Sequence, residues 1–223
     1  MLKDNPDVAA QYVESLVEDL YKISQESSAT SANSNGTEAT CTVPVKTQTK
    51  SNNCSAATIL QTLYGLGKQS KVVGATDSAK QNTIFNNYTT NTSAPGARNP
   101  SSTDDTLTVS EVTVFLNKFV STHKYQFKVG KSLSQPEFES LIWNSLVHNR
   151  PVLLHARTEF LEYYKGVSKK HYLSLDRYTK STGKVRIKDC NYDKNYNGQH
   201  VETAERAYWC VNKIAGRYII SSN

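Results

Sequence analysis

Gln48, Cys54, His171 and Asp189 are the residues of this chain whose types and spacing suit a single reaction. Ser51 to Asn53 supply helix-capping side chains. From Ser55 onward the residues are small and then apolar at helical spacing: Ala56, Ile59, Leu60 and Leu63. This places Cys54 at or next to a first helical turn. The positive end of a helix favours a thiolate over a thiol, and the thiolate is the nucleophile. Gln48, six residues upstream, can turn its amide N–H toward the same point, where acyl transfer needs an oxyanion donor.

A thiolate nucleophile needs a base and a group to orient it. The segment His171 to Tyr178 reads as a strand, Thr179 to Gly183 as a polar turn, and Val185 to Asp189 as a second strand. His171 opens this hairpin and Asp189 closes it. The loop length does not force a register. Only a register that sets position 171 opposite an odd-numbered residue puts both side chains on one face. In that register an aspartate holds the imidazole in one tautomer while the other ring nitrogen faces a thiol. His123, His148, His155 and His200 lack such a pairing. His148 falls at a helix end, and His155 continues the apolar run from Pro151 to Leu154 as a half-buried strand residue.

The order of Gln48, Cys54-Ser55-Ala56-Ala57-Thr58 at a helix start, Lys170-His171-Tyr172 and Lys188-Asp189-Cys190 resembles papain-like cysteine peptidases of the bacteriocin-processing (double-glycine peptidase) type, and most of all their stand-alone secreted relatives. Leu141 to Leu154 resembles that family's helix followed by a Pro-Val strand, and Tyr196 to Ile220 resembles its tail. The likeness runs from about Thr42 to the C-terminus. Three positions depart from it. Ser55-Ala56 stand where the family has Gly-Pro, Lys170 stands in place of glycine, and Cys190 stands in place of proline. None of these changes removes a group that the chemistry needs.

The elements that must hold these residues divide the chain. A helical half (Ala56 to Leu66, Asp77 to Tyr88, Thr108 to Val120) carries Cys54. A strand-rich half (Tyr125 to Val129, Val152 to Ala156, His171 to Tyr178, Val185 to Asp189, Arg217 to Ser221) carries His171 and Asp189, with a helix over Gln135 to Asn149. This segregation gives an α+β class. With the resemblance, it implies a papain-like plan in which the Cys-bearing helices pack on an antiparallel sheet bearing His and Asp. Val43 to Val45 read as a short edge strand, where Pro44 is tolerated. Thr108 and Glu111 form a capping box. The polar loop from Asn91 to Asp105 is placed to border a cleft. Upstream, residues 1–23 carry an acidic amphipathic helix, residues 24–41 a Ser/Thr/Asn-rich linker, and residues 42–223 the peptidase-like domain. The helix offers a face for docking on the domain or on a partner.

The 223 residues suffice for one core, and the net charge is +6. Lys and Arg are scattered rather than striped, so no nucleic-acid partner is expected. Lys165, Lys169 and Lys170 read as a solvated cluster beside His171. No stretch reaches the length of a membrane span, and Met1-Leu2-Lys3-Asp4 lacks the apolar core of a signal peptide. A single Met and a surface rich in Ser, Thr, Asn and Tyr fit an exported bacterial protein, secreted or at the cell surface. Beyond Cys54, two readings stand for Cys41, Cys190 and Cys210: one disulfide and a free thiol, or all reduced. The Cys and His spacings do not resemble a zinc site, and no cofactor is expected.

Two functions follow. The first is a cysteine peptidase acting on a peptide or protein. Cys54 attacks, His171 moves the proton, Asp189 orients His171, and Gln48 with the Cys54 backbone N–H stabilises the oxyanion. The second is an inactive relative gripping a peptide or cell-wall ligand in the same cleft.

Overall fold

A computed structural model describes residues 36–89, 106–120 and 125–222. The expected N-terminal helix, most of the linker, the loop from Asn91 to Asp105, and His123 lie outside these residues. In chain order the elements are β1 (Glu38–Thr40), α1 (Cys54–Gly65), α2 (Asp77–Thr89), α3 (Val109–Phe119), β2 (Tyr125–Val129), α4 (Gln135–Val147), β3 (Val152–Arg157), β4 (Lys170–Thr179), β5 (Lys184–Asp189), β6 (Gly198–Thr203), α5 (Ala204–Asn212) and β7 (Tyr218–Ser222).

The strands form one antiparallel sheet in the order β2-β7-β3-β4-β5-β6, with β1 added against β4. Alternation along the strands sends side chains to two cores. Leu154, Ala156, Leu173, Leu175 and Ile187 pack with Phe138, Ile142 and Leu146 of α4 and Ala207 and Val211 of α5. Leu153, Tyr172 and Ile220 pack with Ile59, Leu60 and Leu63 of α1 and Val112, Phe115 and Leu116 of α3. Helices therefore cover both faces of the sheet. The helix expected within the strand-rich half, α4, covers the face opposite α1, and α5 joins it there.

Two expectations are corrected. Val43 to Val45 are not a strand, and pairing begins earlier, at Glu38–Thr40, inside the expected linker. The reason lies in β4. Its Leu175 end leaves β3 behind, and Arg177, Tyr178 and Thr179 are free on that edge to pair with β1. The strand β6 and helix α5 did not stand out in the sequence, since Gly198–Thr203 is polar and half exposed along an edge.

Each site-bearing element has a local cause. Helix α1 is buried from Cys54 to Leu63, and its small residues Ser55, Ala56, Ala57 and Thr58 allow neighbours to approach on every side. Thr58 Oγ1 donates to Tyr172 O at 3.2 Å, and Gln61 Nε2 donates to Ser174 Oγ at 3.2 Å. These bonds fix α1 against β4. Helix α3 begins on the expected capping box, with Thr108 and Glu111 bonded reciprocally. Gly183, in the β4–β5 turn, has φ +60°, a conformation that favours glycine.

Candidate active site

Cys54 is the first residue of α1. Asn53 holds the N-cap position, but its side chain does not cap the helix. It reaches instead to Thr49 Oγ1 at 3.1 Å and Gln81 Oε1 at 3.4 Å. The expected capping by Ser51 to Asn53 thus becomes a brace between the loop and α2. Gln81 completes the brace by donating to Thr47 O at 2.8 Å.

His171 and Asp189 meet because the hairpin changes register part-way. Near the turn, Tyr178 faces Val185 and Thr179 faces Lys184. An unbroken ladder in that register would set Asp189 opposite Ser174, on the face away from His171. The register shifts between Leu175 and Arg177, so Leu173 comes to face Asp189. Asp176 is the extra residue of the bulge. Its buried carboxylate accepts two bonds from Arg186 and one from the Val43 N–H at 3.3 Å, and Lys188 Nζ lies 3.5 Å away. Its carbonyl accepts the Cys41 N–H at 2.9 Å.

With that parity, His171 Nε2 lies 2.8 Å from Asp189 Oδ1. Cys54 and Cys190 also act on the His171 ring, each favouring its protonated form. Burial acts to lower the His171 pKa, but the Asp189 carboxylate outweighs it and holds the imidazolium well above its ordinary range. Burial acts to raise Cys54, but the hydrogen bond and charge of His171, with a bond from Thr106, bring the thiol below its ordinary value. Burial acts to raise Asp189 too; the His171 charge and its hydrogen bonds hold the carboxyl below the ordinary carboxylate range. The arrangement can hold a thiolate beside an imidazolium, with a carboxylate behind the ring.

Gln48 reaches the site by a backbone bond, its N–H donating to Cys190 O at 2.7 Å. Its side-chain amide is engaged within the loop. Nε2 donates to Lys50 O at 2.8 Å and Ser51 O at 3.1 Å, which closes the loop leading to Cys54. Gln48 Oε1 lies 3.9 Å from Cys190 Sγ.

All four cysteines are free and buried. The reading with a disulfide among Cys41, Cys190 and Cys210 is not met. Cys41 and Cys210 belong to the α4–α5 core, whereas Cys190 belongs to the core of α1. Cys190 Sγ lies 3.5 Å from Cys54 O and 3.4 Å from Thr58 Oγ1. Burial keeps its pKa raised despite His171.

Other histidines fall away from this pair. His155 stacks on Tyr172 at 4.7 Å, and burial with nearby cations lowers its pKa to about 3, so it stays neutral. His148 follows α4, its Nδ1 2.6 Å from Asn144 O. His200 Nε2 lies 2.8 Å from Tyr196 O. Of the lysine cluster, Lys170 is exposed at the start of β4 and Lys169 lies over the Tyr196 ring.

Several groups at the site gave no signal in the sequence. Thr106 Oγ1 is 3.6 Å from Cys54 Sγ and donates to Ser55 Oγ at 2.8 Å. Tyr163, Tyr164 and Asn191 surround Asp189. An aromatic pair before a Gly-containing loop reads as core filling, and only tertiary contact gives it a polar role.

The sequence matches no family profile and no curated protein. Among solved structures, the chain is similar to one described as the crystal structure of a double glycine motif protease from an AMS/PCAT transporter in complex with the leader peptide. The identity is 11% and the TM-score 0.48, and the likeness covers 83% of this chain and 95% of that one. The functional reading therefore rests on the residues themselves.

Proposed function

We propose that this chain is a cysteine peptidase with a papain-like plan, of the double-glycine peptidase type that its motifs resemble. One observation carries the reading: a buried histidine, backed by an aspartate at 2.8 Å, acts on a cysteine at a helix start and lowers its thiol pKa. In this mechanism the Cys54 thiolate attacks the carbonyl carbon of a peptide. The carbonyl π electrons move to oxygen, and the Cys54 backbone N–H meets that oxyanion. His171 gives its proton to the leaving nitrogen, the C–N bond breaks, and a thioester remains. Water, deprotonated by His171, then cleaves the thioester and restores the thiolate. Asp189 keeps the ring oriented and charged. For Gln48 to act as a second oxyanion donor, its amide has to exchange a loop carbonyl for substrate.

That engaged amide favours the second reading, a domain that binds a peptide or cell-wall ligand without cleaving it. A single experiment separates the two. Wild type and variants are incubated with a peptide library, and cleavage is read by mass spectrometry. Cys54→Ala and His171→Ala are each expected to abolish cleavage without adding to one another, since the two act as a unit. Gln48→Ala is expected to lower kcat by roughly 10²–10³, about 2.7–4 kcal/mol of barrier. A wild type that retains peptides uncut establishes the binding reading. An exported place of action, secreted or at a bacterial cell surface, belongs to the same proposal on composition alone, and cell fractionation tests it.

A further inference from the structure

The carboxylate behind the histidine is held by more than the histidine. Asp189 is fully buried, and each of its oxygens meets two donors. Oδ1 lies 2.8 Å from His171 Nε2 and accepts the Asn191 backbone N–H at 2.8 Å. Oδ2 accepts the Tyr164 hydroxyl at 2.9 Å and the Tyr163 hydroxyl at 3.1 Å. Asn191 Nδ2 in turn donates to Tyr164 Oη at 3.0 Å. The Asn191 bond to Tyr164 polarises the phenol that donates to Asp189, and the carboxylate accepts from the phenols on one oxygen and from His171 on the other.

Both phenol rings are seated by stacking. Tyr163 lies on His200 with centroids 3.6 Å apart and planes 2° from parallel, and Tyr164 lies on Tyr196 at 4.3 Å and 3°. These partners belong to β6 and to the loop before it, so the clamp is built from one turn before β4 and another after β5. A buried tyrosine needs a partner for its hydroxyl, and one partner each would satisfy Tyr163 and Tyr164. Their convergence on a single carboxylate oxygen is not required by packing.

We propose that Tyr163 and Tyr164 are positioning residues that set the basicity of the histidine through Asp189. The inference rests on the peptidase reading for its purpose, but its physical content is independent of turnover. Two phenols draw negative charge toward Oδ2 and away from the oxygen that faces His171. They fix the plane of the carboxylate, and with it the tilt of the ring toward Cys54. They also keep the imidazolium from becoming too basic to release its proton to a leaving amine.

The test uses full-length protein with Tyr163→Phe, Tyr164→Phe and both together, each of which keeps the ring and its stack. In a Cys54→Ala background, the titration of His171 is followed by NMR of labelled histidine, with circular dichroism as a check on folding. Loss of a phenol leaves more charge on Oδ1, so His171 is expected to hold its proton to higher pH. The shift is about half to one pH unit per phenol, the scale of one hydrogen bond. An unchanged or lowered His171 titration in the folded double variant overturns the proposal. In the Cys54 background, kcat is expected to fall several-fold with KM little changed. A wild type without hydrolysis, whose His171 titration nonetheless moves as stated, sinks the peptidase reading and leaves the clamp standing.

Discussion

At the scale of single residues, the site turns on two thiols sharing one imidazole. His171 acts to lower the pKa of both Cys54 and Cys190, yet the two values move in opposite directions. Burial acts to raise both. Cys54 also has the Thr106 hydroxyl and sits at a helix start, whereas Cys190 faces the charges of Cys54 and Asp189 as well as His171. The expected outcome is selective alkylation. Near pH 6, well below the ordinary thiol range of about 8–9, iodoacetamide labels Cys54 and leaves Cys190, Cys41 and Cys210 unmodified, as peptide mapping would read. His171→Ala removes the lowering partner, and labelling of Cys54 at that pH then falls to the rate of an ordinary thiol. Equal labelling of Cys54 and Cys190 would contradict the assignment of the nucleophile.

At the scale of elements, the bulge at Asp176 decides whether the hairpin delivers a site. The β4–β5 turn sets one parity, and the extra residue sets the other. Arg186, Lys188 and the Val43 N–H converge on the Asp176 carboxylate and hold the bulge in place. Removing one partner from a buried ion pair leaves the other uncompensated, at about 3–5 kcal/mol. Asp176→Ala is expected to lower unfolding free energy by that amount in urea melts. Cys54 labelling at pH 6 should slow together with it, because a hairpin without the bulge turns Asp189 away from His171. Arg186→Ala is expected to act in the same direction. A variant that loses stability while keeping fast labelling would show that the bulge stabilises the sheet without setting the site.

At the scale of the whole molecule, the buried His171–Asp189 pair links stability to pH. Asp189 has a folded pKa below its unfolded value, so its contribution is present above the ordinary carboxylate range and is lost as pH falls through the folded value. His171 has a folded pKa above its unfolded value, so its contribution is complete below the ordinary histidine range and is lost as pH rises through the folded value. Both act together between roughly pH 4 and 6.5, set by the unfolded values. Thermal melts across pH are expected to peak in that window and to flatten there in the His171→Gln, Asp189→Asn double variant. A maximum displaced well above pH 7 would mean that His171 is neutral in the folded chain.

The sequence by itself determined local matters. Small residues followed by apolar ones marked α1 to within two residues of its start at Cys54, and the Thr108–Glu111 box marked the start of α3, because capping and helical periodicity act within a few residues. Alternation marked both strands of the His171–Asp189 hairpin, and the residue types at their ends suggested the pairing. Tertiary structure decided what depends on distant partners. The register that joins His171 to Asp189 comes from a bulge held by Arg186 and by Val43, 133 residues before Asp176, which no local pattern encodes. Contacts between segments far apart in the chain also placed β1 on the free edge of β4 and gathered two tyrosines on one carboxylate. They also brought Cys190 under the influence of the same imidazole as Cys54. A one-residue change in pairing reverses every side chain beyond it, so the face on which a site forms belongs to the folded sheet as a whole.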